Sequence, residues 1–522
     1  MANISDLGKP SIYQHIKGSI DPKTGCIVKG AGELPDEPEA KPGELKWASG
    51  ALDGVMSHHV GGFENTAERV ETITHLVIEI SKHNRAADKL ELYKTLGEGD
   101  LVQCLDSVLE KVYEQEAITF HLHEYVRFLA REASARDPVK FAIALLGIIG
   151  DRDDKELIMT LGKHEEFTLF SSVALINMEK NPDISLYELA QYVDGWGKIQ
   201  VVERLSETDN PRIKAWMLRE GYKNSIMYEY LVLICAQTGN LLDALQETQI
   251  DQNLFDGSGD IINSLIMGDG SPVVGISGYK DASKAIPRYL SHFSQHSKSL
   301  SHFLTLHSIK EYLSEEEWNQ QVEEESGWRK DLREATISKI DQLLDDAEWP
   351  KLARDALASE DNFYEGDLAA RKLGIKTWDI HWNRLKKVPS ESGRWFSVMR
   401  KATPGNIDQI LELAEKVMPF TEIATGPADA VIWDSAHEWH SCLDYVLQDL
   451  KAFPGKGKRL ILMGLKSPVI RNRNMALKAL SSWPVEMRDC DVQASLEVSL
   501  NQEPDVEVKE RIQKLIEGLD ID

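Results

Sequence analysis

Four similar turns divide the central third of this 522-residue chain, and their spacing constrains the fold more than any other feature. Each turn follows an apolar cluster and is rich in Asp, Asn, Pro or Gly. Successive turns lie about 30 residues apart, which is room for two short helices and their loops. Asp and Asn accept hydrogen bonds from the free N–H groups of a helix start, and Pro fits the first helical turn. The spacing therefore predicts stacked helical hairpins, as in an α-solenoid. The turns are 150–153, 181–183, 209–211 and 239–240.

Apolar residues recur at helical spacing in the segments before these turns, and no alternation typical of strands persists. The predicted class is all-α. Two stripes illustrate the pattern: Val70, Ile73, Leu76, Val77 and Ile80, and then Val102, Leu105, Val108, Leu109 and Val112.

Composition divides the chain into five parts. Residues 1–65 are rich in Gly and Pro and predict an extended N-terminal arm or cap, with a short hairpin around 21–25. Helical repeats are expected over 66–255. The six glycines of 256–281 predict a flexible loop or a break between two halves of the chain. A helical region follows over 282–425, and further repeats are expected over 426–522.

The formal net charge is −26, which favours solubility and disfavours broad binding to nucleic acid or anionic membranes. The five cysteines are far apart and never form a C-x-x-C pair, so a reducing compartment fits best. The first residues lack the pattern of a signal peptide, and the apolar runs are too short to span a bilayer. We expect a soluble, cytoplasmic protein with no membrane partner.

Charge alternates along the C-terminal half. The acidic block 311–348 holds thirteen acids against four basic residues, and the basic block 371–401 holds nine basic residues against two acids. Trp378, Trp382 and Trp395 lie within the second block; they are interpreted as wedges between helices, with base stacking as the alternative. The segment 451–484 reads as a helical hairpin with eight basic residues and no acid. These are Lys451, Lys456, Lys458, Arg459, Lys466, Arg471, Arg473 and Lys478.

This basic hairpin resembles a HEAT repeat. Ser467-Pro468 forms its turn, and Arg473 precedes an inner face of small and apolar residues, Ala476, Leu477, Ala479 and Leu480. A second copy begins at Pro504, although Gln513 stands where a small apolar residue is expected. The resemblance covers 66–255 and 430–522 and implies an α-solenoid of HEAT-like helical hairpins with an irregular N-terminal arm. HEAT motifs are degenerate and imply no particular function.

Four segments also resemble landmarks of bacterial proteins often labelled limonene hydroxylase. They are 195–198, 425–427, 453–457 and 467–477. Hydroxylation of a hydrocarbon requires an activated-oxygen cofactor. The sequence shows neither a haem-ligand loop, nor a flavin-binding turn, nor paired Glu-x-x-His motifs. We therefore expect no cofactor, no metal and no catalytic residue, and a hydroxylase or monooxygenase remains an alternative.

Two groups in the basic hairpin are candidate binding residues. Arg471, Asn472, Arg473 and Asn474 open its second helix, where guanidinium and free N–H groups bind phosphate or carboxylate. The structural alternative makes Arg473 the partner of an acid in a neighbouring turn.

Lys456, Lys458 and Arg459 follow a Gly-containing loop. That loop lacks the G-x-x-x-x-G-K-[ST] pattern, so a helix-initiating loop with solvated lysines is the alternative to a phosphate site.

The sequence thus favours a non-enzymatic scaffold that binds another macromolecule, a protein with an acidic segment, on a curved solenoid surface. The basic hairpin and the block 371–401 are the expected contact faces, unless the block 311–348 docks there in cis. The alternatives are a nucleic-acid-binding α-solenoid using the same faces, and an enzyme with an unrecognised site. No Ser/His/Asp triad can be assembled from local sequence, and the oligomeric state stays open.

Overall fold

The computed structural model describes residues 9–37, 48–51, 67–98, 101–115, 117–269, 273–315, 318, 323, 325–430 and 438–521. Within these ranges all regular structure is helical, apart from two isolated β-bridges. The predicted all-α class is confirmed. None of the helices described is long and apolar enough to cross a membrane.

The α-helices are numbered here in chain order, and short 3₁₀ and π-helical turns join several of them. They are α1 Ile12–Ser19, α2 Ala67–His83, α3 Ala86–Leu96, α4 Val102–Glu114, α5 Phe120–Glu132, α6 Arg136–Ile149, α7 Asp154–Gly162, α8 Glu165–Met178, α9 Asp183–Ala190, α10 Gly195–Glu203, α11 Pro211–Trp216, α12 Val232–Thr238, α13 Leu241–Gln246, α14 Gln252–Gly268, α15 Ala282–Ser291, α16 Leu300–Leu313, α17 Lys330–Leu344, α18 Glu348–Leu357, α19 Phe363–Lys372, α20 Trp378–Lys387, α21 Ser392–Met399, α22 Ile407–Val417, α23 Phe420–Ile423, α24 Glu438–Asp449, α25 Lys458–Gly464, α26 Ile470–Ser481, α27 Cys490–Gln502 and α28 Val506–Ile516.

The chain forms two compact units, Met1–Trp349 and Pro350–Asp522. The boundary lies inside the region 282–425, for which the sequence predicts one continuous helical segment. The charge change between the acidic and basic blocks is the nearest sequence signal.

Helices in the middle of the first unit pack on the next helix and on the next but one. α6 contacts α5 and α8, and α8 contacts α7 and α10. Most residues of α6 are buried, as expected of a helix that is apolar on nearly all sides. The four predicted turns lie between helices, and the Asn210 side chain accepts a hydrogen bond from the Arg212 N–H at the start of α11.

The described part of the N-terminal arm is docked on this unit. Ile12 and Ile16 of α1 are fully buried, and α1 packs against α5 and α7. The predicted turn at 21–25 is confirmed and is closed by a bridge between Ile20 and Ile27. Further along, the Arg136 guanidinium donates hydrogen bonds to Asp36 and Glu37. These contacts fix an otherwise irregular segment.

The predicted flexible loop at 256–281 is helical through its first half, because α14 runs to Gly268. The glycines there serve close packing. A Cβ added at Gly257 would lie 2.2 Å from the Leu218 carbonyl oxygen, and one added at Gly259 would lie 2.6 Å from the Tyr289 hydroxyl. The glycines of this segment allow neighbouring helices to pack closely, and a glycine-rich sequence alone does not distinguish close helix packing from a loop.

In the second unit, α24 packs on α21 and α26, α25 packs on α26, and α26 packs on α28. Both expected C-terminal hairpins, α25–α26 and α27–α28, are present. The apolar face predicted for α26 is fully buried in one core with residues of the other helices. That face comprises Ala476, Leu477, Ala479 and Leu480.

Gly257→Ala is expected to destabilise the first unit by about 1–3 kcal/mol, because the added methyl group meets backbone that cannot move aside. Thermal unfolding followed by circular dichroism measures the change. Gly18→Ala in the exposed part of α1, where nothing lies within 4 Å of the added Cβ, is the matched control and should not lower the unfolding temperature. Equal effects of the two changes would contradict the packing role of Gly257.

Candidate anion-binding site

Helices α25 and α26 carry the candidate residues of the basic hairpin. Gly455 and Gly457 precede α25 with φ of +81° and +72°, in the left-handed region that glycine adopts without strain. A Cβ at Gly457 would lie 2.7 Å from Leu450 Cδ1, so this glycine is also needed for packing. The loop directs Lys456 and Lys458 to the surface at the start of α25.

Arg473 lies inside the second unit and not on its surface. Its side chain is 1% exposed, and its guanidinium forms two hydrogen bonds with the Glu503 carboxylate, at 2.8 and 2.6 Å. Nη1 also donates to the carbonyl oxygens of Ala428, Ser467 and Pro468. This is the arrangement that the structural alternative for Arg473 describes.

The neighbours of Arg473 also make contacts within the protein. Asn472 is buried and donates to the His440 carbonyl oxygen at 3.0 Å. Asn474 accepts a hydrogen bond from Arg511 at 2.7 Å. Arg471 is more than half exposed, yet its Nε donates to the Asp444 carboxylate at 2.6 Å.

The basic residues around the start of α25 are paired in the same way. Lys456 contacts Asp408 at 2.7 Å, and Lys458 contacts both Asp489 and Asp491. Arg459 lies 3.7 Å from Glu415 and over the Phe420 ring.

Ion pairs therefore engage five of the eight basic residues of the hairpin. Their carboxylate partners all lie outside the segment 451–484, on α22 and α24 before it and on or next to α27 after it. None of the seven candidate residues is free of side-chain contacts, and only the exposed pairs are open to competition by a ligand. The remaining three basic residues are Lys451, Lys466 and Lys478.

The basic block 371–401 is neutralised similarly. Arg384 and Arg394 approach Glu360 at 2.7 and 3.6 Å, and Arg371 and Lys401 approach Asp367 at 3.7 Å.

The tryptophans of this block belong to the core. Trp395 is fully buried, with its indole N–H donated to the Pro389 carbonyl oxygen. Trp378 and Trp382 stack on each other and pack against the core. The wedge interpretation of these aromatics matches their positions.

A cavity of about 510 Å³ lies beside α26, and Lys451, Lys478 and Arg488 contribute three cations to its lining. Among the residues that the structure describes, no carboxylate lies within ion-pair distance of any of the three. Asp520 also lines the cavity, together with the hydroxyl-bearing Ser481 and Ser482.

Arg488 is held by backbone. It donates to the carbonyl oxygens of Ser481, Trp483 and Leu515, while its Nε is buried without a partner. Partial burial lowers the pKa of Arg488. Arg488 is not predicted as a binding residue from the sequence, because it lies after the basic segment, where acidic residues resume. Its only sequence signal is its place in the turn between two repeat-like hairpins.

A second cavity, of about 320 Å³, lies in the first unit between the N-terminal arm and the start of α8. Glu165 lines it, and burial raises the pKa of this carboxyl from 4.5 to about 7, with a further contribution from nearby Asp194. Hydrogen bonds from the Trp196 and Gly197 N–H groups oppose the rise. Gly195, at φ +52°, leaves room for the carboxylate, since a Cβ there would lie 2.5 Å from Glu165 Oε2.

His123, Asp151 and Asp154 come close enough to hold a metal ion among the residues described. The Arg127 guanidinium already occupies this position, with hydrogen bonds to Asp154 at 2.6 Å and Asp151 at 3.0 Å. Burial alone would raise the pKa of Asp154, but the hydrogen bonds from Arg127, the Asp151 N–H and His123 lower it to about 2. These residues form a partly exposed ion network around the buried Asp154, between α5 and the start of α7, in which Arg127 takes the place a metal would have.

Comparison with protein-family models, curated proteins and solved structures finds no match for this chain.

Arg473→Met is expected to destabilise the second unit by about 3–5 kcal/mol, because it leaves the Glu503 carboxylate buried and unpaired. Lys456→Ala removes an exposed ion pair of the same hairpin and should cost less than about 1 kcal/mol. Chemical denaturation of the two variants compares them. Similar small losses in both variants would show that Arg473 does not hold the two C-terminal hairpins together.

Glu165→Gln should remove a pH dependence of stability. The folded-state pKa of Glu165 lies above 4.5, so its contribution is fully present below pH 4.5 and is lost as pH rises through about 7. At pH 8 the variant should be more stable than the wild type by about 2 kcal/mol, and at pH 4.5 the difference should vanish. Chemical denaturation of the variant and the wild type at both pH values measures the two free energies of unfolding. A difference between the two proteins that is the same at pH 4.5 and pH 8 would contradict the prediction.

Proposed function

We propose that this protein is a non-enzymatic helical-repeat scaffold whose second unit binds an acidic segment of a partner protein. One observation carries the proposal. Lys451, Lys478 and Arg488 line one cavity without a carboxylate within ion-pair distance among the described residues, although the chain as a whole carries a charge of −26. Asp520 is the one carboxylate that the described residues contribute to the lining, and Lys451 also interacts electrostatically with Asp449 nearby. Three cations against one lining carboxylate still give the cavity a positive charge, which favours an anion in an otherwise acidic protein.

The packing pattern supports an α-solenoid of HEAT-like hairpins. In both units helices contact the next helix and the next but one, as in stacked helical pairs. The Arg473–Glu503 pair joins α26 to the residue just before the next hairpin turn. Repeats that contact only their neighbours leave long side surfaces available to partners.

Carboxylates of a peptide suit this cavity. Lysine ammonium groups are mobile point charges that accept carboxylates from several directions, while Arg488 is fixed by backbone carbonyl oxygens. Ser481 and Ser482 add hydroxyl groups at the wall.

A nucleic acid presents a dense row of phosphates, which the surrounding acidic protein repels more strongly than a few side-chain carboxylates. Charge complementarity therefore favours a protein segment with scattered Asp and Glu.

The seven residues first considered as the site contribute differently. Lys456 and Lys458 would have to exchange Asp408, Asp489 and Asp491 for a ligand, at little net gain. Replacing Arg473 by an acid would place it against the buried Glu503. Such a variant would report on folding and not on ligand binding. The four segments that resemble bacterial hydroxylases contribute no residue to the cavity lining, so that resemblance carries no part of this proposal.

Lys451→Glu/Lys478→Glu should weaken binding of a fluorescent peptide of alternating Glu and Gly by about tenfold or more, measured by anisotropy at low and moderate salt. The control Lys376→Glu/Lys466→Glu makes the same change in net charge at exposed lysines outside the cavity, and should retain most of the binding.

Equal loss in both double variants would show a general charge effect and overturn the site. Tighter binding of a single-stranded oligonucleotide, with steep salt dependence, would replace the proposal with nucleic-acid binding. Unfolding temperatures of both variants establish that they are folded.

A further inference from the structure

A cavity of about 510 Å³ in the first unit lies between α3 and α5 and takes no part in the peptide binding proposed for the second unit. Its lining comes from the start of α3, with the turn before it, and from the second half of α5. Cavities of about 300–1,000 Å³ are the size that holds small organic ligands. The side chains around this cavity supply both an apolar surface and charged groups.

Hydrogen bonds join the two helices that form the walls of the cavity. The Tyr125 hydroxyl on α5 donates to the Lys89 carbonyl oxygen on α3 at 2.6 Å. In the turn before α3, the Asn84 amide nitrogen lies 3.3 Å from His121 Nδ1 at the start of α5. The cavity is therefore formed before a ligand enters, which lowers the cost of ordering the site on binding.

Part of the lining is apolar. Leu90 of α3 and the half-buried Phe128 of α5 both contribute to it. Leu90 is 37% exposed, whereas Leu92 and Leu96 of the same helix are fully buried in the core. A single exposed leucine is common on protein surfaces. Leu90 differs because it lies in a concave site beside an aromatic ring, where it can pack on the hydrocarbon part of a ligand.

Lys89 and Arg131 are the cations of the lining that remain available to a ligand. Neither forms an ion pair with a carboxylate in the part of the chain that the structure describes. The Lys89 ammonium lies over the Tyr125 ring, 5.2 Å from its centroid, and burial lowers the pKa of Lys89. The Ser11 hydroxyl donates to the Arg131 carbonyl oxygen and ties this end of α5 to the N-terminal arm. A partly desolvated ammonium without a counter-ion is stabilised by an anion.

The third cation of the lining is already neutralised. The Arg127 guanidinium donates to Asp154 at 2.6 Å and to Asp151 at 3.0 Å, and it lies 3.6 Å from Glu124. Glu132 is the lining acid that remains, and it is exposed. Two available cations against one acid favour a ligand with a single negative charge, and the acidic surroundings disfavour a polyanion.

We propose that this cavity binds an organic monocarboxylic acid with an apolar body, a function beyond the peptide binding proposed above. The carboxylate is bound by Lys89 and Arg131, and the apolar body packs on Leu90 and Phe128. Arginine contacts a carboxylate through two parallel hydrogen bonds, and lysine adds a point charge. The Tyr125 hydroxyl is already bonded to the Lys89 carbonyl oxygen, so recognition of the anion depends on the two cations.

Isothermal titration calorimetry of the full-length protein with cinnamate tests this site, with cinnamamide as a neutral ligand of matched shape. The wild type should bind cinnamate about tenfold or more tightly than cinnamamide, because hydrogen bonds to charged groups are the stronger ones. Lys89→Met/Arg131→Met should remove this difference by weakening cinnamate alone. Leu90→Asn, at a partly exposed position, should weaken both ligands, because it removes apolar contact.

Lys82→Met/Arg152→Met makes the same change in net charge at exposed residues outside the cavity, and should bind cinnamate as the wild type does. Unfolding temperatures establish that the variants are folded. The proposal is overturned if the wild type does not bind cinnamate, if it binds cinnamamide equally well, or if the control loses as much affinity as Lys89→Met/Arg131→Met. Tighter binding of cinnamylamine than of cinnamate would also overturn it, because Glu132 would then determine the preferred charge.

These outcomes leave peptide binding in the second unit untouched, because the two sites share no residue and are assayed with different ligands. A protein that binds cinnamate but not the acidic peptide would contradict the proposed function alone.

Discussion

The buried ion pair between Arg473 and Glu503 is the contact on which the second unit depends. Arg473 is on α26 and Glu503 directly follows α27, so the pair joins one hairpin to the next at full burial. Its remaining hydrogen bonds fix the carbonyl oxygens of Ala428, Ser467 and Pro468 at the preceding turn. A charge in this position is tolerated because both oxygens of the carboxylate and three carbonyl groups satisfy the guanidinium.

Carboxylates that pair with the basic residues around Arg473 determine which of these residues remain available to a ligand. In sequence, 451–484 is uniformly basic, but folding brings acids from α22, α24 and α27 against it. Exposed pairs of this kind contribute little to stability, yet they remove most of the positive potential at the surface. Two of the three basic residues of 451–484 that form no ion pair with a described residue, Lys451 and Lys478, line one cavity together with Arg488.

The first unit carries its unusual chemistry at junctions between segments far apart in the chain. Glu165 lies where the arm, α8 and α10 meet, and the Asp154 ion network lies where α5 meets the start of α7. A glycine permits close approach at two positions in this unit: Gly195 at the carboxyl of Glu165, and Gly259 at the Tyr289 hydroxyl. The glycine-rich sequence at 256–281 predicts a loop, whereas Gly257 and Gly259 lie in α14 and allow it to pack closely against its neighbours.

The all-helical class, the four central turns, the two C-terminal hairpins and the apolar face of α26 could all be predicted from the sequence. Those features follow from the spacing of apolar residues and from local capping, which depend only on near neighbours in the chain. The burial of Arg473 and the meeting of Arg488 with Lys451 and Lys478 around one cavity follow only from the tertiary structure. The physical reason is that ion pairing, burial and close helix approach join residues distant in sequence, and periodicity carries no record of which distant acid faces which base.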